Sequence, residues 1–236
     1  MQLNTEVTQR EIMVFFKFEQ SKLTYRIDFA LYTIMTLALT FYILIASPPQ
    51  QWLPTTAFVL IGLISWTAIE YVLHRFILHA LQPFRRWHGE HHRRPKALIC
   101  APTILSASLI TTFVYIPALL VDGFWYACAL TLGVLIGYLA YTIIHHAIHH
   151  WHFDNDWLRK RKRLHAVHHH YNMQYGCYGV TSAFWDYVFD TTYQHNAQVP
   201  QSLSVRSNNR KHYIHKMFHL NTLLRQKMNV IGHKRF

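Results

Sequence analysis

Four stretches of the chain run without a charged residue for long enough to cross a bilayer. Residues 29–46 (FALYTIMTLALTFYILIA) carry none over 18 positions, close to what a helix needs to span about 30 Å of hydrocarbon. A proline-containing break, Ser47 to Pro54, precedes a second run from Thr55 to Ile69, which continues through Glu70 into Tyr71, Val72 and Leu73. Residues 97–121 form a third run, interrupted by Pro102 and Pro117, which membrane helices tolerate when neighbours re-satisfy the freed carbonyls. Asp122-Gly123 reads as a tight turn, and residues 124–144 form the fourth run. The pattern predicts an all-α integral membrane protein with four transmembrane helices in two hairpins.

The polar positions are as ordered as the apolar ones. All 23 Lys and Arg fall in three segments: four before the first run, six between Arg75 and Lys96, and thirteen after residue 158. The loops at Ser47 to Pro54 and Asp122-Gly123 have none, so the cytoplasmic enrichment of basic residues places both termini and the long middle loop on the cytoplasmic side. Four buried helices of a water-soluble fold have no reason to show that asymmetry. Residues 1–28 mix acids and bases without an apolar core, so no cleavable signal peptide is expected. Residues 29–191 then form the membrane-embedded unit, and 192–236 a basic tail. Between Asn209 and Met228 that tail spaces Tyr213, Ile214, Met217, Phe218, Leu220, Leu224 and Met228 among basic residues, as an amphipathic helix on an anionic leaflet or on the protein would.

Composition narrows the class. The chain is 51% hydrophobic and 14% charged yet has a net charge of +12, so apolar and basic residues occupy different regions. Three cysteines (Cys100, Cys128, Cys177) cannot staple 236 residues, which excludes a disulfide scaffold, and the wealth of large apolar residues excludes disorder. The RKRKR run at Arg159 to Arg163 suits an anionic membrane surface, and no nucleic-acid partner is expected.

The chemistry lies in the histidines, 14 of whose 19 fall between His74 and His170. They form four boxes, HRFILH (His74 to His79), HGEHH (His88 to His92), HHAIHH (His145 to His150) and HAVHHH (His165 to His170), each just past the cytoplasmic end of the second or fourth run. On helices, His88, His91 and His92 share a face, as do His165, His168 and His169, and His145 with His149 is an i, i+4 pair able to grip one ion. His74 and His79, five apart, lie about 140° around an α-helix and need a cavity or a bend between them. Each half reads span, histidine pair, basic linker, His-x-x-His-His, which suggests a duplication. Ten imidazoles exceed one ion's coordination, so two metals are expected, held by a cytoplasmic histidine-rich helical cap. His146, His150 and His170 directly follow preferred positions, point elsewhere on their helices and are candidates to support the ligands from behind, while His152, His195, His212, His215, His219 and His233 read as ordinary surface histidines. Imidazole suits Zn, Cu, Fe and Ni alike. A polar cluster at the mouth of a membrane bundle, with no nucleophile elbow, phosphate loop or nicotinamide fingerprint, suits a redox metal acting on lipid chains; iron with dioxygen meets that need.

The four boxes in order, followed by GVTSAFWDYVFDT (Gly179 to Thr191), resemble the fatty acid hydroxylase/sterol desaturase superfamily, most closely its fatty acid 2-hydroxylase branch, over roughly Glu70 to Thr191. The resemblance implies a dimetal centre of two iron ions, with zinc possible on ligand grounds, that uses O2 to hydroxylate a fatty acyl chain near its carboxyl end. Its ligands would be His74, His79, His88, His91, His92, His145, His149, His165, His168 and His169. Glu70, Glu90, Trp185 and Asp186 are expected behind the ligands, because ligating imidazoles usually pass their other N–H to a carboxylate or carbonyl. For Glu70 and Asp186 an ion pair with a nearby arginine is the alternative. Where the family usually has Phe-Gly-Thr, this chain has Phe189-Asp190-Thr191. With no His-Pro-Gly-Gly haem motif, electrons are expected from a separate cytochrome b5-like or ferredoxin-like donor, and a bacterial inner membrane is favoured over the endoplasmic reticulum. The alternatives are a sterol or carotenoid oxygenase or desaturase of the same superfamily, and a non-catalytic metal transporter or sensor. Spans free of histidine and charge speak against the last.

Overall fold

A computed structural model describes residues 19–152, 155–170 and 176–192, which are helical and contain no strand among the described residues. Helix α1 spans Lys22–Ala46, α2 Trp52–Val72, α3 Phe84–Arg93, α4 Thr103–Val121, α5 Phe124–His150, α6 Asp156–His170 and α7 Phe184–Val188. Four helical segments are long and apolar enough to cross a membrane: α1, Pro49–Leu78 including α2, α4 and α5. The protein is thus an all-helical integral membrane protein of two hairpins, α1–α2 and α4–α5.

The bundle is organised around α5. Half of its apolar window is buried, against 11–22% for the other three, whose large side chains (Leu37, Phe41, Leu53, Leu60, Ile64, Leu120) are turned outward. Outward apolar side chains on helices of this length are what a lipid solvent asks for. Helix α2 packs along α5 at a crossing of small residues, since a Cβ on Gly133 would lie 2.1 Å from the carbonyl oxygen of Val59 and 2.9 Å from the Cα of Gly62. One turn further, Trp66 lies over Gly137 and against Tyr138 and Tyr141. Helix α1 joins α4 through Tyr32 to Ser106 (2.6 Å) and Thr103 to Asp28.

The helix ends differ from the apolar runs in ways that have physical causes. Helix α1 starts seven residues before its uncharged run, because the Ser21 side chain accepts the Thr24 N–H at 3.1 Å and caps it. The expected third span begins only at Thr103, since Pro102 sits at its N-cap in an extended conformation. Pro117 is accommodated by a π-helical turn, Thr111–Tyr115, which widens the helix just where the ring would meet a carbonyl. A second π-turn, Leu73–Leu78, continues α2 into the first histidine box. Asp190, at the position of the family's usual glycine, takes the left-handed conformation that position requires (φ 50°), which Asp tolerates better than most residues. The expected tail helix, Asn209 to Met228, lies outside the described residues.

Candidate metal centre

Helices α2 and α5 run in the same direction and end side by side, so the boxes they carry meet at one end of the bundle, where α3 and α6 fold over them. The ten expected histidines come together there as two groups of five. His74, His79, His88, His92 and His168 offer ligand nitrogens within 4.8 Å of one another, and so do His91, His145, His149, His165 and His169. The π-turn resolves the awkward spacing of the first box: its i to i+5 repeat brings His74 beside His79, with ring centroids 5.0 Å apart and the rings tilted at 40°.

The grouping corrects the expected triplets. His88 and His92, one turn apart, face one group, but His91 faces the other; likewise His165 and His169 keep together while His168 crosses over. Each half of the chain gives four histidines to one group and lends its middle His-x-x-His-His residue to the other. His92 and His169, from different groups, stack with ring centroids 4.2 Å apart at 15°.

Nε2 atoms converge within each group, with separations of 3.0 Å (His74–His88), 3.1 Å (His88–His92 and His79–His168), 2.9 Å (His149–His165), 3.0 Å (His165–His169) and 3.3 Å (His145–His149). A neutral imidazole has one N–H, so such chains cannot all be hydrogen bonds. The Nδ1 atoms of His79, His91, His92, His165 and His169 are also buried without a partner. Metal–imidazole bonds of about 2.0–2.1 Å put neighbouring ligand nitrogens about 2.9–3.4 Å apart, so these residues fit one cation in each group. The groups are also in the right protonation state. Desolvation first, then the charge of neighbouring imidazoles, pushes His92 down to about 2 and His79 down to about 3. The same causes bring His91 to about 3, and burial alone brings His168 to about 4. His88, His165 and His169 are lowered the same way, leaving free lone pairs at neutral pH.

Two histidines have their second nitrogen fixed. His74 donates from Nδ1 to the carbonyl of Tyr178 at 2.5 Å and His168 to that of Gly176 at 2.9 Å. These carbonyls, not carboxylates, stand behind the imidazoles. Glu70 and Asp186 instead hold the segment that bears them. Glu70 accepts the N–H groups of Val180 (2.5 Å) and Thr181 (3.0 Å) and the Thr181 hydroxyl, while Asp186 accepts those of Tyr178 and Gly179, both at 2.9 Å. Among the described residues neither makes the expected arginine ion pair, although the charge of buried Arg161 reaches Asp186. Glu90 does, with Arg93 at 2.5 Å and Arg94 at 2.7 Å, and Trp185 donates to Thr67 at 3.0 Å, away from the imidazoles. Backbone carbonyls have no residue code. The local signal was glycine at 176 and 179, where an added Cβ would overlap Thr191 and Ser182 oxygens. His146, which bonds Tyr25 at 3.0 Å and stacks on His150, lies outside both groups, as does exposed His152. His195, His212, His215, His219 and His233 are outside the described residues.

Two openings reach the groups. An apolar cavity of about 130 Å³ between α1, α3 and α5 is lined by Tyr32, Trp87, Tyr138 and Tyr141 and touches His88 of one group and His91 and His145 of the other. Asp28 also lines it: one carboxylate oxygen accepts from Thr103 and the other is buried without a partner. The second opening, lined by Arg85, Arg86 and Arg93, reaches His92 and His169. Residues 87, 88 and 91 lie on one side of α3 and 85, 86, 89, 92 and 93 on the other, so the helix divides an apolar approach from a basic one.

The fatty acid hydroxylase family model matches residues 58–191. A dihydroceramide fatty acyl 2-hydroxylase of Arabidopsis thaliana is 31% identical over 172 residues, covering 61% of this chain and 71% of that protein. A ceramide very long chain fatty acid hydroxylase of Saccharomyces cerevisiae is 37% identical over 147 residues, covering 56% of this chain and 36% of its own length. The fatty acid 2-hydroxylase of Rattus norvegicus is 29% identical over 143 residues, 56% of this chain and 38% of the relative. The chain thus spans well under half the length of the yeast and rat relatives. A solved structure described as full-length scs7p, with only its hydroxylase domain visible, superposes with a TM-score of 0.62 at 25% identity, covering 75% of this chain and 70% of that one.

Proposed function

The chain belongs to the fatty acid hydroxylase family, and from that premise we propose that it hydroxylates the acyl chain of a membrane lipid beside its carbonyl carbon. The observation that carries the proposal is the pair of five-histidine groups at the end of an apolar cavity that opens among membrane helices. The catalytic unit is taken as 29–191 and the ligands as the ten histidines of the two groups. Two redox-active ions, iron in this reading, would supply the activation of O2 and the removal of a hydrogen atom from the acyl methylene. The protein's own residues do the rest. Tyr138, Tyr141 and Trp87 wall the chain against water, and burial keeps the histidine imidazoles unprotonated and available as ligands. The unpartnered Asp28 oxygen accepts a donor from the head group and repels a carboxylate, which favours an N-acyl lipid over a free acid. This agrees with the ceramide hydroxylases among the relatives. The balance, substrate C–H plus O2, two electrons and two protons giving C–OH and water, needs a reductant. In this reading a cytochrome b5-like or ferredoxin-like donor docks at the basic opening, whose lining includes His92 and His169.

The test is isotopic. With a reductant and an N-acyl sphingoid lipid in detergent or nanodiscs, heavy oxygen gas labels the new hydroxyl. Label arriving from water instead would identify a hydrolytic or hydrating metal site, which zinc on the same ligands supports.

The histidine-bearing end is proposed to face the cytoplasm, on the one-sided distribution of Lys and Arg. A cysteine at Gln50 should react in intact cells with an impermeant thiol reagent, and one at Asn155 should not; the reverse pattern inverts the topology. That argument serves a bacterial inner membrane and an endoplasmic reticulum equally. The relatives named above come from eukaryotes and lend the expected bacterial location no support.

A further inference from the structure

We propose that Asp186 is a positioning residue that holds the His74 nitrogen in place through the peptide group between Tyr178 and Gly179, so that the two histidine groups grip their ions unequally. The proposal rests on the metal-binding reading of those groups. Asp186 is 1% exposed, and each of its acceptor contacts comes from a donor: Tyr178 N–H and Gly179 N–H at 2.9 Å, and the Thr191 hydroxyl at 2.8 Å. The Gly179 N–H and the Tyr178 carbonyl belong to one peptide unit, and that carbonyl accepts from His74 at 2.5 Å.

A peptide is a resonance-coupled unit. Donation of its N–H to a carboxylate makes its oxygen a stronger acceptor, and bonds in such a chain reinforce one another. The arrangement is a carboxylate–histidine pair with one peptide set between the partners, and it makes His74 Nε2 a better and better-aimed ligand. Only glycine permits it at 179, since a Cβ there would lie 1.8 Å from the Ser182 carbonyl oxygen and 3.0 Å from the Asp186 carboxylate. The line extends outward: Arg75 donates to the Tyr71 hydroxyl at 2.7 Å, and Tyr71 meets the Thr191 hydroxyl at 3.0 Å.

Nothing equivalent stands behind the second group among the described residues, where the Nδ1 atoms of His91, His165 and His169 are buried without partners. His168, also of the first group, has a weaker version. The N–H of the peptide whose carbonyl it uses is that of Cys177, which donates to the neutral Thr191 carbonyl at 2.8 Å. Glu70 grips the same segment but only at Val180 and Thr181, one peptide beyond the relay, so it serves as the comparison.

Metal content and affinity, measured by elemental analysis and by cobalt titration of stripped full-length protein, test the idea without turnover. Wild type should hold two ions. Asp186→Asn should weaken one of them about 10–100-fold and leave the other unchanged. Glu70→Gln should lower the melting temperature yet retain both. Adding Asp186→Asn to His74→Ala should remove nothing further, whereas adding it to His165→Ala should weaken the one ion that remains by the same factor as in the single variant. If Asp186→Asn does not fold, Asp186→Glu, which keeps the charge on a longer stem, should bind the first ion with intermediate affinity. Loss of both ions together in Asp186→Asn, or equal loss in Glu70→Gln, would mean that mere order of the segment matters and would overturn the proposal. A wild-type protein with fewer than two ions would instead sink the dinuclear reading beneath it.

Discussion

Replacing His168 with alanine should remove an ion from the group built by the first two boxes, although the residue lies in the fourth. His165, less than one helical turn away, belongs to the other group. Substitution of groups that merely orient ligands already costs about 10–100-fold in affinity or activity, so losing a ligand should cost on the order of a hundredfold or more. Coupling identifies the group. His168→Ala combined with His88→Ala should leave one ion per chain, because both act on the same group. His168→Ala combined with His165→Ala should leave none. His91→Ala should mirror this, coupling with His145 and not with its neighbour His92. If His168 couples more strongly with His165 than with His88, or His91 more strongly with His92 than with His145, the two groups are wrongly drawn.

Gly133→Ala should damage a site it never touches. The new methyl would lie 2.1 Å from the Val59 carbonyl oxygen and 2.7 Å from the Leu63 nitrogen, both backbone atoms that no rotamer change can move aside. Helices α2 and α5 must separate, at a cost of about 1–3 kcal/mol or more. Those helices carry His74, His79, His145 and His149, so their ends should spread although residue 133 lies about 18 Å along the axis from His145. Lower melting temperature and reduced metal content should appear together. Gly137→Ala meets the Trp66 Cγ at 2.4 Å and its Cβ at 2.5 Å, and since the Cβ is fixed to the backbone of α2, it should push the same two helices apart and lower melting temperature and metal content together. A Gly133→Ala protein with unchanged melting temperature and full metal content would show that the crossing yields and does not set the separation of the boxes.

What could be read from the sequence was what side-chain type encodes. Uncharged runs located the four spans, basic residues ordered their loops, and repeated histidine spacing marked the ten residues that converge. What escaped depends on the backbone or on tertiary context. Within α3, His91 and His92 are both good neighbours of His88, at i+3 and i+4, and periodicity cannot say that they part company. The widened turn at Leu73–Leu78 that aligns His74 with His79 has no residue signature, since π-turns form where packing makes them worthwhile. Glu70 and Asp186 were visible as carboxylates near the boxes, but their partners are peptide N–H groups more than 100 residues away in one case and eight in the other. Ser21 and Pro102, by contrast, carried ordinary helix-start signals that apolar run length alone passed over.

The traded middle histidine makes the two halves inseparable. Matched position by position, His74, His79, His88, His91 and His92 correspond to His145, His149, His165, His168 and His169. The trade of His91 for His168 is the one a two-fold axis along the membrane normal would impose on two copies of a single hairpin. A lone half supplies four of five donors to its own group and holds a fifth that reaches only its partner. The chain is in this respect a swapped dimer written as one polypeptide, in which neither copy completes a group of five histidines until the other is in place.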